Sequence, residues 1–144
     1  MESAAGISRP ALMTARIYYY ETDQMKIVHH SNYIRWFEEA RIYWMEKMGM
    51  PYNKMEELGI IIPVVDVYAK YKKMVSFGQT VLIRLKIKEF NGVKASFEYE
   101  IYDKESKELC TTGFSTHCFL DEKMRPVNIK KKFPEIYDIF NATK

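Results

Sequence analysis

The spacing of apolar residues changes once along this 144-residue chain, from a helical period to a strand period, and this change limits the folds open to it. Between residues 33 and 48, apolar side chains recur every three or four positions with charged residues between them, which predicts an amphipathic helix. From residue 64 onward, apolar and polar residues alternate, which predicts strands. One long helix and a sheet can bury each other's apolar faces, so we expect a two-layer α+β domain. The apolar positions of the helix are Tyr33, Trp36, Phe37, Ala40, Trp44 and Met48.

Turn-forming residues indicate where the helices begin and end. Ser31 or Asn32 can cap the start of the long helix, and Gly49 with Pro51 can end it. A shorter helix is predicted over residues 51–58, and a helical turn or two is expected near the C-terminus.

Five strands are predicted. The first covers residues 16–20 (RIYYY), where β-branched and aromatic residues cluster ahead of the long helix. The other four contain VVDVYAKYKK, TVLIRLKIKEF, ASFEYEIY and ELCTTGFSTHCFLD. Asn91-Gly92 is a strong hairpin signal, and we expect these four strands to be joined largely as an antiparallel meander.

The composition indicates one globular domain. With 47% hydrophobic and 28% charged residues, a chain of this length can bury a sufficient core without metals or disulfides. We assign residues 1–14 to a loose leader and residues 15–144 to a single domain. No stretch is long and apolar enough to cross a bilayer as a helix, so we expect no membrane insertion.

Charge and cysteine usage exclude further classes of protein. The net charge of +3 is too small and too dispersed to indicate nucleic-acid binding. Cys110 and Cys118 fall in one predicted strand, roughly 25 Å apart and beyond disulfide reach, which fits a reducing cytoplasm. Three histidines and two cysteines form no metal-ligand pattern, so we expect neither a metal nor another cofactor and interpret His117 as a packed residue.

A carboxylate and a pair of histidines lie just before the long helix. Asp23 falls on a predicted loop, and His29 and His30 stand between it and the helix. The first N–H groups of a helix carry partial positive charge and can bind a carbonyl oxygen that becomes negative under attack. A nearby carboxylate can attack that carbonyl or activate water, which suits thioester hydrolysis. Short polar loops before helices are common, however, and by spacing alone Asp23 is more often a turn residue.

The segment YYYETDQMKIVHHSNYIRWFEEAR resembles the signature of hotdog-fold acyl-CoA thioesterases, in the branch that includes 4-hydroxybenzoyl-CoA thioesterase. The resemblance rests on the acidic-Thr-Asp triplet, on Val-x-His before Ser-Asn-Tyr, and on the aromatic-Glu-x-Ala-Arg of the helix. It implies a five-stranded, mostly antiparallel sheet wrapped around one long helix. It also implies a homodimer, or a tetramer of two dimers, with active sites at the subunit interface.

The same resemblance implies roles for individual residues. Asp23 takes the position of the nucleophile or general base, and His30 takes the position whose backbone N–H polarises the thioester carbonyl. Asn32 and Tyr33 complete the motif as supports of the substrate-binding site. Lys94, which follows the Asn91-Gly92 turn, is the preferred contact for the phosphates of coenzyme A. Lys70, Lys72 and Lys73 are alternatives for that contact, although surface lysines usually only keep a sheet edge soluble.

Lys26 departs from the family pattern, because many relatives have glycine three residues after the catalytic aspartate. Glycine there permits a positive φ, which lysine adopts only at some cost. The leading hypothesis is hydrolysis of an acyl-CoA thioester to free acid and coenzyme A. The alternative, which Lys26 favours, is a non-catalytic domain that binds acyl-CoA or acyl carrier protein; dehydratase chemistry fits the triplet less well.

Overall fold

The computed structural model describes residues 11–23 and 25–143, and its five strands form one antiparallel sheet in the order β1-β3-β4-β5-β2. The strands are β1 (Ala11–Arg16), β2 (Val64–Tyr71), β3 (Thr80–Phe90), β4 (Lys94–Asp103) and β5 (Leu109–Cys118). The helices are α1 (Ser31–Lys47), α2 (Tyr52–Leu58), α3 (Ile129–Lys132) and α4 (Pro134–Thr143). The predicted α+β class and five-stranded antiparallel sheet are confirmed. None of the helices in this part of the chain is both long and apolar enough to cross a bilayer.

Helix α1 lies across one face of the sheet and buries the apolar stripe predicted for it. Trp36, Phe37 and Trp44 are each almost completely buried, and burial of a large apolar side chain stabilises a fold by about 1.5–3 kcal/mol. The Phe37 ring stacks on Tyr99 of β4, with ring centroids 4.2 Å apart. A Cβ added to Gly113 of β5 would lie 2.6 Å from the Phe37 ring and 2.6 Å from Tyr68 O of β2, so only glycine fits beneath Phe37.

The two faces of the sheet follow the predicted alternation. Val81, Ile83 and Leu85 of β3 are completely buried beneath the helix layer. The intervening side chains point to the other face, where Arg84 lies 3.9 Å from Glu100 across the β3–β4 ladder. Opposite charges on facing cross-strand positions keep the outer face polar and favour the observed register.

The prediction of a four-stranded meander is wrong for β2. Only β3, β4 and β5 form a meander, while β2 pairs with β5 and lies at the edge opposite β1. The segment 72–79 therefore crosses from the β2 edge of the sheet to β3, the neighbour of the opposite edge strand. It passes the loop that contains Asp23, where Val28 N–H donates to Val75 O over 2.8 Å and Phe77 N–H donates to Lys26 O over 2.9 Å.

The first strand begins five residues earlier than predicted. β1 covers Ala11–Arg16, and Tyr19–Glu21 form a 3₁₀ turn instead of the end of a strand. The aromatic run misled the prediction because Tyr18, Tyr19 and Tyr20 are largely exposed, and strand preference depends on packing rather than on the backbone. Residues 11–14 of the predicted leader thus belong to the sheet, whereas residues 1–10 lie outside the described residues.

A chain of polar side chains crosses the core beneath α1. Arg41 donates to the Tyr99 hydroxyl over 2.8 Å, Tyr99 and the Ser115 hydroxyl are 2.7 Å apart, and Ser115 lies 2.8 Å from Nε2 of His117. His117 is buried, as predicted, and burial together with the positive charge of Arg41 lowers its pKa to about 4. The folded protein therefore holds this imidazole neutral.

Replacement of His117 by Gln tests this linkage between protonation and stability. The pKa of His117 is about 6.5 in the unfolded chain and about 4 in the folded chain. Because the unfolded state binds the proton first, the free energy of unfolding should fall as the pH drops through this interval. The expected loss is up to about 3 kcal/mol. Urea titrations at several pH values should show a flatter dependence for His117→Gln, with His29→Gln as an exposed-histidine control. Parallel curves for parent and His117→Gln would contradict the prediction.

Candidate functional site

Asp23 lies in a five-residue turn whose backbone closes on itself. Thr22 and Val28 are bridged, Asp23 N–H donates to Ile27 O over 2.8 Å, and Lys26 N–H donates to Asp23 O over 3.0 Å. The Oδ1 atom of Asp23 accepts from Met25 N–H at 2.8 Å and Ile27 N–H at 3.3 Å. The side chain is exposed, and within residues 11–23 and 25–143 nothing bonds to Oδ2. One carboxylate oxygen thus fixes the orientation of the group and the other is available for chemistry.

Lys26 adopts the positive φ expected at a glycine position, at 63°. The same turn occurs a second time over residues 121–125. There Asp121 Oδ1 accepts from the second and fourth backbone N–H groups after it, and Met124 has φ 62°. The flanking Leu120 and Pro126 are bridged in the same way as Thr22 and Val28. A non-glycine residue with positive φ is therefore a normal part of this turn, and Lys26 does not distort the loop.

The first backbone donors of α1 bond to groups of His29 and His30. His29 Nδ1 accepts from Ser31 N–H over 3.3 Å, Asn32 N–H donates to His29 O over 3.0 Å, and Tyr33 N–H donates to His30 O over 3.3 Å. Among the described residues, none accepts a hydrogen bond from His30 N–H. The predicted cap by Ser31 or Asn32 is wrong, because the imidazole of His29 reaches the first free donor instead.

Asn32 and Tyr33 hold the helix start in place. The Asn32 amide donates to Glu21 O over 2.8 Å, which ties the helix to the chain just before Asp23. Tyr33 is buried, with its ring centroid 4.9 Å from that of Tyr71 at the end of β2. Burial raises the pKa of Tyr33 to about 12, so the phenol stays protonated at neutral pH. Asn32 thus ties the start of α1 to the chain before Asp23, and Tyr33 packs it against the end of β2.

Lys94 lies far from Asp23 within one chain. It begins β4 and pairs with Cys118, whereas the Asp23 loop lies beside Tyr71 at the other end of the sheet. Seven residues of β4 separate Lys94 from Ile101, which shares a row with Tyr71, and this corresponds to roughly 23 Å. Lys94 lines an open depression of about 500 Å³ together with Lys88, Asn91, Ser96 and Thr116. The structure thus brings Asp23, His30, Asn32 and Tyr33 together and leaves Lys94 apart.

The sequence reasoning missed Glu21, although this residue is the acidic member of the quoted triplet. Its side chain is only 2% exposed, and it accepts hydrogen bonds from Tyr18 N–H and from the Trp36 indole. A charged residue in an exposed tyrosine-rich stretch gave no signal that it would be buried. Its contacts with Arg35 and Trp36 could have been predicted only once the position of α1 relative to Glu21 was known.

Comparison with known proteins gives one consistent family. Residues 18–138 match the family model of the thioesterase-like superfamily. The chain is 36% identical over 127 residues to the putative acyl-CoA thioesterase YneP of Bacillus subtilis, covering 88% of this chain and 91% of that protein. It is 32% identical to a putative esterase of Aquifex aeolicus, covering 88% and 97% of the two chains. The crystal structure of a DHNA-CoA thioesterase from Staphylococcus aureus superposes with a TM-score of 0.86 at 31% identity, covering 92% and 89%.

Replacement of Lys26 by Gly tests whether the lysine side chain contributes to the stability of the loop or only occupies a position with positive φ. A left-handed conformation costs a non-glycine residue roughly 1–2 kcal/mol, while glycine loses about 0.4–1 kcal/mol more through the entropy of the unfolded chain. We therefore expect Lys26→Gly to raise the free energy of unfolding by about 0.5 kcal/mol. Met124→Gly is the matched control and should behave alike in urea titrations. A clear loss of stability in Lys26→Gly alone would mean that the lysine side chain holds the loop.

Proposed function

This chain belongs to the thioesterase-like superfamily, and on that premise we propose that it hydrolyses an acyl-CoA thioester with Asp23 as the catalytic carboxylate. One observation carries the assignment. The carboxylate of Asp23 and the unpaired N–H of His30 stand on the two limbs of a single loop, which the Thr22–Val28 bridge closes. A thioester carbonyl placed between the limbs meets a nucleophile or base on one side and an oxyanion donor on the other.

The reaction follows from these two groups. Asp23 either attacks the carbonyl carbon, forming an anhydride that water then hydrolyses, or takes a proton from a water molecule that attacks. In both cases the carbonyl oxygen becomes negative and accepts a hydrogen bond from His30 N–H at the positive end of α1. The C–S bond breaks, coenzyme A leaves as a thiolate and takes up a proton, and the acyl group leaves as a free acid. One oxyanion donor of this kind contributes about 100- to 1,000-fold to kcat.

The alternative of a non-catalytic binding domain depended on Lys26 disturbing the loop. The turn closes with the same hydrogen bonds as its twin at residues 121–125, and Asp23 keeps one free oxygen. No described feature of the loop therefore favours binding without hydrolysis.

We further propose that the working form is a homodimer, alone or as half of a tetramer, joined along the edge of β2. Residues Val65, Val67 and Tyr71 of β2 are 58%, 39% and 50% exposed, and this edge pairs with no other strand of the described chain. Exposed apolar edge strands invite pairing with another chain. Tyr71 also touches Tyr33, so a subunit docked here lies directly beside the catalytic loop.

Such a dimer gives Lys94 a role that one chain does not allow. If the two β2 strands pair antiparallel about a two-fold axis normal to the sheet, the far end of one sheet lies beside the Asp23 end of the other. The second copy's Lys94 can then meet the phosphates of coenzyme A. We also propose that the described residues belong to a single domain and that the protein works in the cytoplasm, where the free thiols Cys110 and Cys118 stay reduced.

Replacement of Asp23 by Asn is the direct test of the mechanism. The amide keeps an oxygen for the turn but loses nucleophilicity and basicity, so kcat for thiol release from acyl-CoA should fall by roughly 1,000-fold or more. Asp121→Asn, made in the twin turn with its matching hydrogen bonds, is the control and should keep the parental kcat. A panel from acetyl- to palmitoyl-CoA with aromatic thioesters supplies the substrate. An Asp23→Asn protein as fast as the parent would exclude this mechanism.

Subunit mixing tests the shared site. Asp23→Asn removes the chemistry, and Lys94→Glu should raise KM for acyl-CoA by placing a negative charge against the phosphates. If each site takes Asp23 from one copy and Lys94 from the other, a mixed dimer contains one intact site. Refolding the two variants together should then restore activity to about a quarter of the parental value, because about half of the dimers are mixed. Activity no higher than that of the separate variants would contradict the shared site.

A further inference from the structure

Glu21 is a buried carboxylate beside the catalytic loop for which the proposed chemistry has no use. Its side chain is 2% exposed, and a buried charge is costly unless it is paired and hydrogen-bonded. Its Oε1 atom accepts from Tyr18 N–H over 2.8 Å. Its Oε2 atom accepts from the Trp36 indole over 3.0 Å and pairs with the Arg35 guanidinium. The carboxylate is therefore fully engaged, with two partners on α1.

The backbone of Glu21 bonds to the same helix start. Its carbonyl oxygen accepts from His29 N–H over 2.9 Å and from the Asn32 side-chain amide over 2.8 Å. Glu21 stands two residues before Asp23, and His29 stands one residue before His30. A single residue thus joins the limb that carries the carboxylate to the limb that carries the oxyanion donor.

The twin turn separates this connection from the folding of the loop. Residues 121–125 adopt the same hydrogen-bonded turn as residues 23–27, with the same bridged flanks. The residue two places before Asp121 is Phe119, which has no carboxylate to offer. The backbone bond of Glu21 recurs there, because Val127 N–H donates to Phe119 O over 3.0 Å as His29 N–H donates to Glu21 O. What distinguishes Glu21 is its carboxylate, which links the chain before Asp23 to Arg35 and Trp36 of α1.

We propose that Glu21 is a positioning residue, whose carboxylate sets the separation between the Asp23 carboxylate and the His30 N–H through its bonds to Arg35 and Trp36. This inference rests on the proposed thioesterase function. The loop is exposed around Asp23, so core packing does little to hold it in place. A displacement of about 1 Å at a reacting group lowers rates roughly 100-fold, so the effect should appear in kcat.

Glu21→Gln is the test, because the side chain keeps its shape while losing the charge that pairs with Arg35. We expect kcat for thiol release to fall by about 10- to 100-fold with KM changed by less than about threefold. Glu39→Gln is the matched control, since Glu39 is the other carboxylate paired with Arg35 but lies on the exposed side of α1. It should keep the parental kcat. Thermal unfolding followed by circular dichroism confirms that each variant is folded at the assay temperature.

The double variant distinguishes positioning from general support of the fold. If Glu21 acts through Asp23, adding Glu21→Gln to Asp23→Asn should not lower the residual rate further. A parental kcat in Glu21→Gln, an equal loss in Glu39→Gln, or a full additional loss in the double variant would each overturn the inference. If Glu21→Gln does not fold, Arg35→Gln replaces it as the test variant, since the Arg35 side chain is 42% exposed and pairs with Glu21. The same results for kcat and for the double variant are then expected. A parent protein that hydrolyses no thioester overturns the proposed function, and this inference with it.

Discussion

The close approach of α1 to the sheet is the constraint on which the rest of the structure depends. Phe37 lies against Gly113 and stacks on Tyr99, and no side chain could replace the hydrogen of Gly113 without displacing the Phe37 ring and the backbone of β2 at Tyr68. Because a helix is rigid over one or two turns, this contact also fixes the height at which its first residues stand above the sheet. The His30 N–H is carried to the site by that packing. The packing of the core and the position of the proposed oxyanion donor therefore depend on one contact.

The Asp23 loop is held in place by means other than packing. Its carboxylate uses one oxygen to stabilise a turn that the chain builds a second time at Asp121, and a helix follows each turn, α1 from Ser31 and α3 from Ile129. The turn itself is therefore an ordinary structural device. It becomes a candidate active site only where Glu21, Asn32 and the crossover after β2 bind it to the start of α1. Exposure, and not an unusual conformation, distinguishes Asp23 from Asp121, which is buried and has its Oδ2 atom 3.5 Å from Nε of Arg125.

Periodicity predicted the parts of the fold that are governed by one buried face. The stripe of α1, the alternation in β3 and β4, and the turn at Gly92 are all local patterns, and the structure confirms them. The first strand failed because tyrosines favour strands only when they pack, and the meander failed because nothing local reveals which edge of a sheet a strand will join. The resemblance led to Asp23 and His30, while the burial of Glu21 emerged only from residues 14 and 15 positions away in sequence.

The proposed dimer would join two features that lie at opposite ends of the sheet within one chain. The Asp23 loop stands at one end of the strands, and the depression lined by Lys88 and Lys94 stands at the other. A thioester of coenzyme A has its reacting carbonyl and its phosphates far apart, so a site for the whole molecule needs features of both ends near each other. Antiparallel pairing of two β2 edges supplies this arrangement without any change in the fold of either chain. In the proposed dimer, the edge of β2 with its exposed valines joins the copies, and the same pairing brings the Lys94 end of one copy to the Asp23 loop of the other.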